Sequence, residues 1–190
     1  FTNIILDSKK SYGKNIWNTS FIEDKLDINI RYNLYFPISI CNLCKKYKIH
    51  ITYIGDGCIF KDSNSFEPDL TVSAHSIVNI YNEKIITELY DNVLYLRIRY
   101  PISGDLTPAC YLTKLLSYDN IIDVDNSVSI LSDLIPILFK MIEKNTIGIY
   151  NFFGNNYINA INTILLLKNN FDSHINFNVI SETIHNKLIG

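Results

Sequence analysis

Ile49-His-Ile-Thr-Tyr-Ile-Gly-Asp-Gly-Cys-Ile-Phe60, with Ser73-Ala-His-Ser-Ile-Val-Asn79 after it, decides the fold of this chain. Ile49 to Ile54 is a short β-branched and aromatic run that ends in Gly55 and Gly57, so it reads as a buried strand entering a tight turn. The stretch from Ser73 to Tyr90 carries apolar residues at helical spacing, with Ile77, Ile80 and Ile85 inward. His75 and Asn79 then share one helical face, one turn apart. Asp56 stands at the end of the strand, where sites of open α/β sheets lie.

Working outward, the same periods repeat. A strand near Thr2 to Leu6 leads through a polar loop to a long helix from about Glu23 to Tyr47, which Pro37 should kink or split. Val93 to Arg99 alternates Val93, Tyr95, Arg97 and Arg99 against Leu94, Leu96 and Ile98, and Pro101 ends it. Thr107-Pro108 forms an N-cap and N1 pair that opens the helix carrying Lys114. Strand Ile121 to Val124, helix Leu131 to Lys144, strand Gly148 to Phe153 and helix Asn156 to Leu167 follow, with Pro136 tolerated in a first turn or at a kink. This alternation predicts an α/β fold with a parallel sheet and right-handed crossovers.

The 190 residues favour a single domain, residues 1–190, with the sheet in 1–100 and a second lobe in 101–190 that returns one strand to it. A formal charge of −2 gives no basic footprint, which argues against nucleic acid and anionic membrane as partners. Lys45, Lys46 and Lys48 read as the solvated end of a helix, where cations favour the dipole. No run approaches membrane-spanning length and the start shows no signal-peptide pattern, so the cytoplasm is the default compartment. Cys41 and Cys44 form a C-x-x-C, but Cys58 and Cys110 make no second pair and no histidine stands at zinc spacing. Cys41 and Cys44 fall in the helical stripe with Leu34, Ile38 and Tyr47, so they read as core, and no metal is expected.

Asn33-Leu-Tyr35, Ile49 to Gly55, Gly57 to Phe60, Leu96 to Arg99, Pro101-Ile102, Leu112-Thr-Lys114, Asn126-Ser127, Ile130-Leu131 and Gly148 to Phe152 run in one order along the chain. In that order the sequence resembles the nucleotide-sugar 3,5-epimerase/4-reductases that complete UDP- or dTDP-L-rhamnose synthesis, which are extended short-chain dehydrogenases. The nearest flavour is the UDP-rhamnose branch of plants and giant viruses. The resemblance implies a doubly wound, Rossmann-like sheet, NAD(P) as cofactor and a nucleotide sugar as substrate. It aligns Phe1 to Leu6 with the family's fourth strand, and no G-x-x-G-x-x-G occurs in the sequence. The expectation is therefore a partial sheet without the first glycine-rich βαβ unit, in which NAD(P) binding by this chain is doubtful.

The family carries Ser or Thr, Tyr and Lys where this chain has Asp56, His75 and Asn79. An ammonium beside a phenol favours the phenolate, and Asn79 supplies no such charge. His75 could donate a proton oriented by Asp56, or both could merely occupy a polar turn and helix start. The resemblance also implies that Cys58 and Lys114 are retained epimerase positions, an acid and a base on opposite faces of the sugar. Read by themselves, Cys58 suits a buried small hydrophobe and Lys114 a surface cation. Arg97 and Arg99 share a strand face, where guanidinium groups suit a nucleotide-sugar phosphate or carboxylates such as Asp91 and Asp105. The connection from Lys61 to Thr71 is shorter than the family's pocket loop.

Three functions remain open on these residues. One is a degenerate epimerase/reductase whose reductase chemistry is lost, with or without surviving epimerisation. Another is a non-catalytic interaction module paired with a second copy or with an active enzyme, because a half sheet exposes edges and apolar faces. The last is a remnant without selected function.

Overall fold

Residues 50–56 form a strand because β-branched and aromatic side chains are buried on both of its faces, as a central parallel strand requires. The computed structural model describes residues 3–7, 25–57, 59, 73–105, 107, 110–171 and 174–181. It divides into two compact units, Phe1–Arg99 with Ile135–Phe152, and Tyr100–Leu134 with Phe153–Gly190.

In the first unit, β1 (Asn3–Leu6), β2 (His50–Asp56), β3 (Val93–Ile98) and β8 (Gly148–Asn151) form one sheet in the order β1-β2-β3-β8. Every pairing is parallel. Ile51, Tyr53, Val93 and Tyr95 share one face and pack with Leu6 and with Cys41, Cys44, Ile86 and Tyr90 from the covering helices. Full burial of one such aliphatic side chain is worth roughly 1.5–3 kcal/mol. The Tyr53 and Tyr95 rings stack with centroids 4.9 Å apart, and the Tyr95 ring lies so close over Gly55 that a Cβ there would sit 2.3 Å from it. A side chain at position 55 would have to displace that ring. On the opposite face Thr52, Leu94 and Leu96 are fully buried, and His50 Nε2 donates to the Thr146 carbonyl at 2.9 Å.

The long helix anticipated before β2 is unbroken through Pro37 but changes its winding. It runs as α1 (Leu26–Ile30), a π-helical stretch Arg31–Tyr35, and α2 (Phe36–Tyr47). Pro37 has no N–H for the Asn33 carbonyl one turn back, which would normally force a kink. Here the Asn82 amide donates to that carbonyl at 2.7 Å, and the Phe36 N–H reaches the Arg31 carbonyl instead. Asn82 in turn accepts from the Tyr95 hydroxyl at 3.2 Å, and Asn33 donates to Asn29 at 2.7 Å. Cys41 and Cys44 are core residues of α2. Burial, reinforced by the neighbouring Cys44, pushes the Cys41 thiol up to about 12.

Helix α3 (Ala74–Leu89) begins where the sequence places it, with Ser73 as N-cap accepting from the Ser76 N–H at 3.2 Å. Its buried face differs from the expected one. Ile80 is buried but Ile77 and Ile85 are half-exposed, and the inward stripe is largely polar: Ser76, Asn79, Asn82 and Glu83, closed by Ile86. Helix α5 (Leu131–Glu143) keeps Pro136 inside it, past the first turn, and none of its residues is buried.

The second unit pairs β4 (Pro101–Ile102) with β7 (Ser129–Ile130), β5 (Asn120–Ile122) with β10 (Asn178–Ile180), and β6 (Asp125–Ser127) with β9 (Tyr157–Asn159). Its core joins Tyr111, Leu115, Ile121, Val128, Ala160 and Ile164. Helix α4 (Tyr111–Leu116) has Cys110 as N-cap, so it starts later than the Thr107-Pro108 signal suggested. Thr107 instead closes a turn, its carbonyl accepting from the Cys110 N–H at 2.9 Å, and Pro108 lies outside the described residues. Helix α6 (Ala160–Asn170) also starts later than expected, because Asn159 takes the N-cap and accepts from the N–H groups of Ile161 and Asn162. Among the described residues, no helix is long and apolar enough to cross a membrane.

Candidate active site

The carboxyl end of β2 and the first turn of α3 meet in the first unit. Asp56 closes β2 because Gly57 turns immediately after it, the Gly57 N–H donating to the Ile98 carbonyl at 2.8 Å. A Cβ at Gly57 would lie 3.0 Å from that oxygen, so the turn is drawn tight against the end of β3. Helix α3 then brings His75 over the strand end, and the Ser73 cap fixes its first turn.

His75 is held from both sides. Its Nε2 lies 3.3 Å from Asp56 Oδ2 and 3.0 Å from the Asn79 amide nitrogen, which also donates to the His75 carbonyl at 3.0 Å. The neutral ring can accept from Asn79 through Nε2, and the protonated ring can donate to Asp56 through the same atom. Nδ1 is buried and makes no hydrogen bond to the described residues. The side chains of His75 and Asp56 are only 13% and 10% exposed, so the imidazole turns its nitrogens inward. The three sequence candidates Asp56, His75 and Asn79 thus come together, as an enclosed cluster.

Glu83, one turn beyond Asn79, was not singled out by the sequence. Its carboxylate receives the Arg97 guanidinium in a two-point grip, Nε to Oε2 at 2.7 Å and Nη2 to Oε1 at 2.5 Å. A third Arg97 nitrogen donates to Asn151 on β8 at 3.2 Å. Fork-on-carboxylate geometry satisfies both buried charges. Arg97 therefore finds its carboxylate on the helix above it rather than at Asp91 or Asp105. The spacing of 75, 79 and 83 along one face of α3 was the signal that could have revealed Glu83.

Arg99 stands half-buried just past β3, packed beside Gly57. Lys114 belongs to α4 of the second unit and is half-buried. Cys58, and the connection 61–71, lie outside the described residues. Among the described residues, no group of three His, Cys, Asp or Glu side chains could hold a metal.

The fit to a nicotinamide cofactor can be judged from this geometry. Position 79, where the resemblance implies a lysine that holds the ribose, offers a neutral amide whose N–H groups are turned to His75. The residues present do not fit that task.

No family model matches the chain. It is 34% identical to the L780 protein of Acanthamoeba polyphaga mimivirus over 156 residues, 75% of this chain and 54% of that protein. The crystal structure of L780, described as a UDP-rhamnose synthase, superposes with a TM-score of 0.75 at 30% identity, over 84% of this chain and 59% of L780. A bifunctional dTDP-4-dehydrorhamnose 3,5-epimerase/reductase of Arabidopsis thaliana is 31% identical over 148 residues, 71% of this chain and 49% of that protein. The chain spans about half the length of these curated relatives. A dTDP-4-dehydrorhamnose reductase from Bacillus anthracis, solved in complex with NADP, shares the fold with a TM-score of 0.70 at 13% identity, over 95% of this chain and 65% of that one.

Proposed function

The chain belongs, over the part of their length that it spans, to the nucleotide-sugar epimerase/reductases of rhamnose synthesis, and from that premise we propose a rhamnose-pathway protein that recognises a nucleotide sugar without reducing it. The enclosed His75 cluster carries this reading. Reduction of a keto group needs a proton delivered to the developing alkoxide from a group that can reach it. His75 Nε2 is occupied between Asp56 and Asn79, and its Nδ1 is buried, so neither nitrogen is presented to a substrate. Asn79 adds no positive charge with which to tune an acid. No step through NAD(P) is assigned to this chain, because the residues that would hold the nicotinamide do not fit it.

Epimerisation makes smaller demands. One group takes the proton from a carbon beside the keto group, and another returns a proton to the opposite face. Cys58 and Lys114 are the residues proposed for these two roles, since a thiol and an amine can both be tuned toward neutrality. Arg99 is the arginine proposed for the diphosphate, because Arg97 is committed to Glu83. Calorimetry with UDP-rhamnose, alongside NADPH, tests the reading, with circular dichroism showing the chain folded. Heat with the sugar and none with NADPH is the expected result. Consumption of NADPH in the presence of a UDP-4-keto-6-deoxy sugar would overturn it.

A second reading, a non-catalytic module that seats another polypeptide, is favoured by one observation, the exposed apolar surface of α5.

A further inference from the structure

Among the described residues, three other than glycine take a positive φ: Lys48 at 55°, Tyr100 at 40° and Asn145 at 48°. Lys48 is the left-handed C-cap of α2, and Asn145 follows the end of α5, its N–H donating to the Ile142 carbonyl at 2.9 Å. Both are ordinary helix endings. Tyr100 is not. It stands between β3 and β4, carries an aromatic side chain for which positive φ is sterically costly, and precedes Pro101, which pushes the residue before it toward extended backbone.

Strain of this kind persists only where the surroundings fix the backbone from both sides. Before Tyr100, the Ile98 carbonyl accepts from the Gly57 N–H at 2.8 Å and the Arg97 carbonyl from the Phe152 N–H at 2.7 Å. After it, Pro101 and Ile102 pair with Ser129 and Ile130. The side chain adds a third constraint. The Tyr100 ring packs against the core of the second unit, its centroid 4.8 Å from that of Tyr111 with the planes at 43°, within the range of aromatic pairing. Tyr111 opens α4, and Lys114 stands one turn further along it. Six residues are too few for a helix to hold itself, so packing decides where α4 lies.

We propose that Tyr100 is a positioning residue for Lys114: its left-handed backbone sets the ring against Tyr111, and that contact fixes the short helix that carries the lysine. With the preceding residues held by β3, turning φ from 40° into the extended region would swing Cβ about the N–Cα bond and take the ring off Tyr111. The strain is therefore what the ring position requires. The proposal rests on the proposed function for the role of Lys114, whereas the placement of α4 is measured without it.

Three variants of the full chain separate position from stability. Tyr100→Phe keeps the ring, Tyr100→Ala removes the ring but keeps the strain, and Tyr100→Gly removes both. Tyr100→Gly should unfold at a urea concentration higher than Tyr100→Ala by about 0.5 M, reversing the usual order of the two residues. The amides of Lys114 and Ser117, which donate to the Cys110 and Lys114 carbonyls, should exchange with solvent at least about tenfold faster in Tyr100→Ala and Tyr100→Gly than in the parent or Tyr100→Phe. Solvent deuterium should replace the carbon-bound proton beside the keto group of a UDP-4-keto-6-deoxy sugar in the parent and Tyr100→Phe, with kcat at least about tenfold lower in the other two. Recovery of amide protection or of deuterium uptake by Tyr100→Gly would overturn the proposal, because the ring would then matter for stability alone. Equal protection of α4 in all four proteins, or a Tyr100→Gly chain no more stable than Tyr100→Ala, would overturn it as well. A parent that takes up no deuterium sinks the epimerase reading only, and the amide exchange still decides this proposal.

Discussion

Helices α3 and α5 invert the ordinary relation between hydrophobicity and burial. The inward face of α3 is rich in Ser, Asn and Glu and is buried; α5 carries eight large apolar side chains, with its polar residues confined to one side, and has no buried residue. Partners explain the first case. Asn82 satisfies the carbonyl that Pro37 leaves open, Glu83 is neutralised by Arg97, and Asn79 is bonded to His75. A buried polar group is tolerable when it is paired, and costly when it is not. The second case shows the converse, that apolar character supplies a drive to be buried but not the surface that does the burying.

The contrast breaks most readily at Glu83. Glu83→Ala leaves the Arg97 guanidinium without its carboxylate in a buried setting, and should cost on the order of 3 kcal/mol, read as a drop in urea midpoint. Replacing both residues by methionine should recover most of that loss. If the single variant unfolds like the parent, the polar face of α3 is not held by this pair.

Next in size is Gly55→Ala. The new methyl must displace the Tyr95 ring, which is stacked on Tyr53 and hydrogen-bonded to Asn82, for an expected loss of about 2 kcal/mol in the same assay.

A third effect comes from Cys41. Its thiol rises from an ordinary value near 9 in the unfolded chain to about 12 in the fold, chiefly through burial. The folded state therefore holds the proton more tightly than the unfolded state. The associated stability is complete below pH 9 and is lost as pH rises from about 9 to 12, at a slope of up to roughly 1.4 kcal/mol per pH unit. Cys41→Ser should flatten that part of the alkaline unfolding profile. An unchanged slope would place the alkaline sensitivity elsewhere.

The smallest expected effect sharpens the other half of the contrast. Ile137→Asp on α5 should alter the stability of the chain alone by no more than about 0.5 kcal/mol, because the side chain is 47% exposed. A loss comparable to that of Glu83→Ala would mean that α5 is packed more deeply in solution than its exposure indicates.

Much of this architecture was legible in the residues. Strands β2 and β3 announced themselves through short β-branched and aromatic runs, and α3 through its period and its Ser73 cap, because these signals are local. The cluster of Asp56, His75 and Asn79 was legible too, since a strand end and a helical turn fix where they lie. The winding at Pro37 was not, because the donor that relieves it comes from Asn82, far along the chain. Glu83 escaped notice for a similar reason, its partner standing on the next strand.

The sequence by itself determined the alternation of strands and helices, the glycines at the strand end, and the placing of His75 and Asn79 on one face of the helix beside it. Each follows from the backbone and side-chain chemistry of residues within a turn or two of one another. Only the tertiary structure decided that His75 is turned inward, that Arg97 is committed to Glu83, and that the polar helix is buried while the apolar one is not. Those outcomes depend on which groups distant in the chain come within hydrogen-bonding or packing distance, and contact of that kind is set by the sheet register rather than by local pattern.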